Sequence, residues 1–170
     1  MRVFIAIEIS NKEILKKVET FQKNVKINAN PIRVEQIHFT LQFLGEITEE
    51  KCQQVKNVLN EISFSQFDVS LKNVGAFPNL KNPKVIWIGV EGDGAKKLTD
   101  LAKEIGMRLT IIDFKMDKKF KPHLTVFRVK KKIENVSSII TDFETEEFGT
   151  ETISKIKLKK SVLSPKGPEY

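Results

Sequence analysis

The chain alternates between short apolar runs and longer stretches in which apolar residues recur every three or four positions. Val3 to Ile9 is rich in β-branched residues and predicts a strand. Ser10-Asn11-Lys12-Glu13 follows in Ser-x-x-Glu form, which predicts a capping box at Ser10. Ile14, Leu15, Val18, Phe21 and Val25 then keep the spacing of one helical face, leaving Lys12, Lys16, Lys17 and Lys23 in water. A second strand is predicted over 36–44, closed by Gly45, and a second helix from an N-cap at Thr48 through Val55, Val58, Leu59 and Ile62. Phe67 to Val74 alternates as a strand, Ala76 to Pro83 reads as a turn-rich link, and Lys84 to Val90 is the most strand-like run. Gly92-Asp93-Gly94 predicts a break, after which Leu98, Leu101, Ala102, Ile105 and Leu109 form another helical stripe. A strand over 123–129, a weaker helix over 133–141 and a strand over 152–162 complete the pattern, with Lys130-Lys131-Lys132 as a solvated turn.

Short strings recur between the two halves at nearly constant offset. His38-Phe39-Thr40-Leu41 matches His123-Leu124-Thr125-Val126, and Leu71-Lys72 followed by Pro78 matches Leu158-Lys159 followed by Pro165. A strand-helix-strand-helix-strand unit used twice explains both. The chain therefore reads as one domain, 1–170, with pseudo-repeats of about 1–83 and 84–170. If the two units pack about a pseudo-twofold axis, the two His-x-Thr strings meet across a shared cleft.

Length and charge narrow the picture further. At 170 residues the chain can bury one sizeable core. Its 29 Lys and Arg against 22 Asp and Glu give a formal charge of +7, which biases the surface toward polyanions. No run approaches the roughly 18 apolar residues of a membrane span, and the first residues read as a strand without a signal-peptide layout, so a cytoplasmic protein is expected. A single cysteine, Cys52, forms no internal disulfide and reads as a small apolar helix residue. Two histidines and one cysteine cannot supply both a zinc cage and an acid-base pair without using every one of them, so no metal or other cofactor is expected. Nothing resembles a dimerisation seam, and a monomer is expected.

Residues two apart on a strand share a face, so His38 and Thr40 project together while Phe39, Leu41 and Phe43 are predicted to enter the core. The same parity pairs His123 with Thr125 and buries Leu124 and Val126. Two facing histidines can divide labour, one taking a proton from an attacking oxygen and the other giving one to a departing oxygen. Two threonine hydroxyls beside them can donate to non-bridging phosphate oxygens, and no metal is required. A lone His-x-Thr arises often by chance. Two of them, on predicted strands of equivalent halves and accounting for both histidines in the chain, point to phosphoryl chemistry.

These strings resemble the 2H phosphoesterases, a family named for its two His-x-Thr/Ser motifs, and within it the RNA 2′,3′-cyclic phosphodiesterase branch of 2′-5′ RNA ligase-like proteins. The resemblance covers nearly the whole chain, through Met1-Arg2-Val3-Phe4-Ile5-Ala6-Ile7, His38 to Glu46, Gly75-Ala76-Phe77-Pro78, Val85 to Val90, Pro122 to Arg128 and Leu163 to Tyr170. It implies an α+β, bilobal fold of two pseudo-symmetric β-α-β-α-β halves whose antiparallel sheets face a central groove. It also implies hydrolysis of RNA ends bearing 2′,3′-cyclic phosphate, such as those of tRNA halves, to 2′-phosphomonoesters, and in some members reversible 2′-5′ ligation. His38 and His123 become the acid-base pair, with His38 assigned as proton donor and His123 as proton acceptor. Thr40 and Thr125 become phosphate-oxygen donors, and Arg128 a further phosphate contact.

Strict alternation sets Arg128 opposite His123, so a bulge or the strand end has to turn it inward. Phe127 stands on the groove-facing parity, where it narrows the groove or offers a stacking face to a base. Gln42 stands where many relatives carry a basic residue, which removes a possible backbone contact. Ile32 to Gln36 lacks the Trp and Pro common before the first motif, leaving that side without its aromatic wall. Trp87 reads as core, and Phe77 and Pro78 as a loop near the groove whose counterpart is Ser164-Pro165. Lys166 could approach an RNA strand. Relatives usually continue past the position of Tyr170 into a final strand. Two other functions fit the same residues: an RNA-binding module without catalysis, and a phosphodiesterase for a small cyclic phosphate such as ADP-ribose 1″,2″-cyclic phosphate.

Overall fold

A computed structural model describes residues 1–117, 119–164 and 167–170. Strand β1 (Arg2–Glu8) leads into helix α1 (Lys12–Asn24), the two-residue strand β2 (Asn30–Pro31), β3 (His38–Glu46), α2 (Glu49–Asn60) and β4 (Phe67–Phe77). The second half runs β5 (Val85–Glu91), α3 (Asp93–Leu109), β6 (His123–Arg128), α4 (Ser137–Thr141), β7 (Glu147–Ile153), β8 (Lys157–Ser164) and β9 (Gly167–Glu169). The strands form one curled antiparallel sheet in the order β7-β4-β5-β6-β3-β1-β8-β9, with β2 against β6. Among the described residues, no helix is long and apolar enough to cross a membrane.

The order is symmetric about the junction of β3 and β6. On one side lie β3, β1 and β8, on the other β6, β5 and β4. Strand β4 of the first sequence unit and its repeat counterpart β8 in the second therefore each lie with the other unit: β4 pairs with β5 over Ser70 to Phe77, and β8 pairs with β1 over Lys157 to Ser161. Each lobe is built from both halves of the chain.

Alternation divides the sheet into two faces. Val3, Ile5, Ile7, Phe39, Leu41, Ile86, Ile88, Leu124 and Val126 join Ile14, Val18 and Phe21 of α1 and Leu98, Leu101 and Ile105 of α3 in the core. Burying such side chains supplies roughly 1.5–3 kcal/mol each and fixes which face of the sheet is covered. Phe4 is equally buried but lies outside that core, on the opposite, concave face.

Helix α1 is capped by Asn11 rather than Ser10; the Asn11 side chain accepts from the Glu13 N–H at 3.0 Å. The cause is Glu151, a carboxylate on β7 that is 2% exposed. It accepts from the Ser10 N–H (2.9 Å), the Ser10 hydroxyl (2.8 Å) and the Asn11 N–H (3.1 Å), so Ser10 serves a buried charge and the cap moves on one residue. Helix α3 begins at Asp93 rather than after Gly94. Gly94 lies inside its first turn because a Cβ there would sit 2.5 Å from the Asp68 carbonyl oxygen. The expected strand over 152–162 is two strands, β7 and β8, with 154–156 between them, and the helix over 133–141 is confined to Ser137–Thr141. A final strand does form, as β9, and it folds back on β8 before Tyr170. Pro165 and Lys166 lie outside the described residues.

Candidate active site

His38 and His123 are the first residues of the two central strands, and both are partly buried. The Nδ1–H of His38 donates to the carbonyl of Gln36 and that of His123 to the carbonyl of Lys121, each at 2.6 Å. The same local contact, two residues upstream, is made in both halves. It fixes the proton of the neutral ring on Nδ1 and leaves Nε2 as the free base. The Thr40 hydroxyl lies 3.1 Å from His38 Nε2 and donates to it.

The strands β3 and β6 pair antiparallel at Phe39 and Leu124, both fully buried. Extending that register sets His38 opposite Thr125 and Thr40 opposite His123. The four side chains form a square with the histidines on one diagonal and the threonines on the other, at one-neighbour cross-strand spacing of about 5 Å. They line one open groove of about 250 Å³ together with Phe43, Phe77, Arg128 and Tyr170.

Beyond the threonines each strand bulges. On β3, Ala6 pairs with Thr40 and Ile5 with Gln42, so Leu41 is the extra residue, and a second irregularity follows at Leu44. On β6, Trp87 pairs with Thr125 and Ile86 with Phe127, so Val126 is extra. A bulge inverts the side-chain parity beyond it. Arg128 is thereby turned into the groove, and Phe127, expected there, is 2% exposed and packs edge-on against Phe21 at 6.1 Å. Phe127 offers no stacking face. On β3 the same inversion buries Gln42 and exposes Phe43, which is 66% accessible rather than in the core. Gln42 donates to the Lys115 carbonyl at 3.0 Å and so holds the segment leading to β6; it is not a surface contact.

Aromatic rings wall both imidazoles. Tyr170 stands edge-on to His38 at 4.9 Å and 86°, and Phe77 stands edge-on to His123 at 4.9 Å and 89°. Phe4 lies beneath His38 at 4.9 Å. Tyr170 thus supplies the aromatic wall that Ile32 to Gln36 lacks, and its hydroxyl lies 3.3 Å from Arg128 Nη2. Trp87, expected in the core, is on the concave face, 5.2 Å from Phe77 and 6.4 Å from His123. It fits because Gly75 opposite has no side chain; a Cβ there would lie 2.4 Å from the indole. Lys121 Nζ sits 5.3 Å from the Trp87 ring and 5.5 Å from Phe77.

Burial pushes the His38 imidazole down to about 4, against the Gln36 hydrogen bond and helped by the Lys159 and Arg128 charges. His123 is lowered for the same first reason, with Lys121 and Arg128 adding to it. The groove is therefore cationic while both imidazoles are neutral. Among the described residues, no group of three or more His, Cys, Asp or Glu is arranged to hold a metal ion.

Tyr170 and the groove-facing ring of Phe43 were not foreseen from the sequence. Tyr170 reaches its place only through the β8–β9 hairpin, and no local pattern marks it. Trp87 did carry a signal: it lies between Ile86 and Ile88, whose burial leaves the odd position to the other face.

A curled sheet with two His-x-Thr strands joined at its centre defines a 2H phosphoesterase. The chain belongs to the family described as the AKAP7 2′5′ RNA ligase-like domain, which matches residues 2–169. Among curated proteins it is 40% identical to an RNA 2′,3′-cyclic phosphodiesterase of Archaeoglobus fulgidus, over all of this chain and 96% of that one. It is 38% identical to the protein of the same name from Aquifex aeolicus, over all of this chain and 93% of the relative. Among solved structures, the Thermus thermophilus protein TT0787 superposes with a TM-score of 0.83 at 27% identity, covering 100% of this chain and 93% of that one. Escherichia coli LigT complexed with 3′-AMP shares the fold, with a TM-score of 0.78 at 20% identity over 99% and 92% of the two chains.

Proposed function

We propose that this protein hydrolyses 2′,3′-cyclic phosphate ends of RNA to 2′-phosphomonoesters, without a metal ion, by acid-base catalysis from His123 and His38. The observation that carries the reading is the common fixing of both rings through Nδ1, which leaves two Nε2 atoms on one diagonal of the square. In-line displacement at phosphorus needs a base and an acid on opposite sides of the phosphate, and that diagonal supplies them. His123 Nε2 takes a proton from water as its oxygen bonds to phosphorus. The bond to the 3′ oxygen breaks, and His38 Nε2–H protonates that oxygen. Thr40 and Thr125, on the other diagonal, donate to the non-bridging oxygens, and Arg128 balances their charge.

His38 acts as donor only when protonated. Burial is the main cause of its low pKa; the cations that add to it, Lys159 and Arg128, are charges an anionic phosphate offsets, so bound substrate raises it. A 5′-hydroxyl in place of water gives a 2′-5′ linkage by the same two proton transfers, and cleavage of that linkage runs them backwards. Both histidines come from one chain, which supports action as a monomer. The names of the curated relatives and the charge of +7 support RNA as the substrate, with the broken ends of tRNA as one source.

The test is turnover of an oligonucleotide ending in 2′,3′-cyclic phosphate, in EDTA, with products separated against 2′- and 3′-phosphate standards. A 2′-phosphate product is expected, with a bell-shaped pH profile and losses of about 10²–10⁴ in kcat for His38→Ala and for His123→Ala. A 3′-phosphate product, or activity that survives either substitution, overturns the assignment.

A further inference from the structure

The square of His and Thr side chains is open at both ends along the strands. Beyond His38 and Thr125 the groove runs past Gln36, Arg128 and Tyr170 into a second recess of about 140 Å³, which the same three residues also line. Beyond Thr40 and His123 it runs past Gln42 toward α3. A substrate that is one end of an RNA chain needs a way out for the chain and a way in for water. We infer that the RNA leaves by the His38 end, where Arg33 and Lys130 bind the phosphodiester that joins the terminal nucleotide to the one before it.

The inference rests on the hydrolytic reading above, because that reading orients the substrate. A 2′,3′-cyclic phosphate occupies two of the ribose oxygens, so the chain continues only through the 5′ oxygen. With the 3′ oxygen at His38 Nε2, the ribose lies at the His38 end, and its 5′ oxygen leads on past Arg128 rather than back across the phosphate. The recess it meets carries Arg33, Arg128 and Lys130 against one carboxylate, Glu169. Arg33 and Lys130 are exposed, and neither forms an ion pair among the described residues. Exposed cations are ordinarily solvated and nothing more. These two stand on backbone that is tied down. The Ile32 N–H donates to the Val126 carbonyl, the Ile32 carbonyl accepts from Gln22, and the Arg33 carbonyl accepts from the Gln36 N–H at 2.8 Å. The Val129 N–H, next to Lys130, donates to the Lys84 carbonyl at 2.9 Å. The recess is therefore formed before RNA arrives. At the opposite end Lys121 lies over the Trp87 and Phe77 rings, and Lys119 shares the wall with Asp117. An arginine fork and a lysine on one phosphodiester position the chain without reading its sequence, which suits RNA ends of any base.

The test compares a 2′,3′-cyclic mononucleotide with the dinucleotide that ends in it. In the unaltered protein the dinucleotide has the higher kcat/KM, by about tenfold. Arg33→Ala and Lys130→Ala each cut that ratio severalfold, the double variant brings it near one, and Arg33→Lys keeps part of it. A dinucleotide whose internucleotide linkage is an uncharged methylphosphonate gains nothing over the mononucleotide. Lys103→Ala, in the recess at the far end, keeps the full ratio. A dinucleotide no better than the mononucleotide, a ratio indifferent to Arg33 and Lys130, or a ratio that falls with Lys103→Ala instead overturns the inference. Affinities of the corresponding 2′-phosphate compounds need no turnover, and the log affinity of the dinucleotide falls with log salt about 0.7 more steeply than that of the mononucleotide. If neither cyclic substrate is turned over but the advantage in affinity depends on Arg33 and Lys130, the hydrolytic reading fails and the subsite stands. If both are hydrolysed to 2′-phosphates and the ratio ignores Arg33 and Lys130, the subsite fails and the hydrolytic reading stands.

Discussion

His38 is held neutral first by its burial, and then by Lys159 and Arg128, which oppose its protonation, while Glu8 is bound to Lys157 and Lys159 rather than to the ring. Its pKa falls from 6.5 in the unfolded chain to about 4 in the native one, so the unfolded state binds the extra proton between those values. The contribution of a neutral His38 is therefore complete above pH 6.5 and is lost as pH falls toward 4, by on the order of 3 kcal/mol across the window. Thermal unfolding from pH 7 to pH 4 checks this: the melting temperature of His38→Asn declines less steeply than that of the unaltered protein, and parallel declines refute it. At this scale the His and Thr pairs were legible from parity alone, because strand positions two apart share a face until something breaks the period. Phe43, Phe127 and Gln42 were misread for one reason. Each lies just past a bulge, and a bulge leaves no mark in a pattern of apolar residues.

The bulge on β6 is held from outside the strand. The extra residue, Val126, presents its carbonyl to the Ile32 N–H at 2.9 Å and to Gln22 Nε2 on α1 at 2.9 Å, and Gln22 also donates to the Ile32 carbonyl at 2.8 Å. Gln22 is thus a positioning residue for Arg128, two residues further on. Gln22→Met keeps the volume and removes both bonds. A cost of about 1–2 kcal/mol in stability is expected, with KM raised several-fold and kcat nearly unchanged. Added to Arg128→Ala, the same substitution leaves KM where Arg128→Ala alone put it. An additive increase in KM in the double variant shows that Gln22 acts by another route. Elements were more legible than their ends. Helices α1, α2 and α3 follow from their apolar stripes, whereas the cap at Asn11 depends on a carboxylate 140 residues away, which local sequence cannot announce.

The repeated strings revealed that the molecule has two equivalent halves; they did not reveal which half β4 and β8 join, because equivalence fixes shape and not partner. The exchange of β4 and β8 makes neither half self-sufficient: 1–81 lacks the strand that covers β1, and 82–170 lacks the one that covers β5. The link between them is exposed at Lys81 and Asn82. Cut there, the two fragments produced together copurify and regain activity, whereas each alone shows no cooperative unfolding transition; a fragment that melts cooperatively by itself refutes the dependence. The exchanged strands act as a clasp. A protease nick in the link leaves the two pieces dovetailed, each gripping a strand of the other, and the groove keeps both its histidines. A chain severed at its midpoint is then still one working object, which suits it to complementation: two proteins fused to the two pieces report their own meeting by restoring turnover.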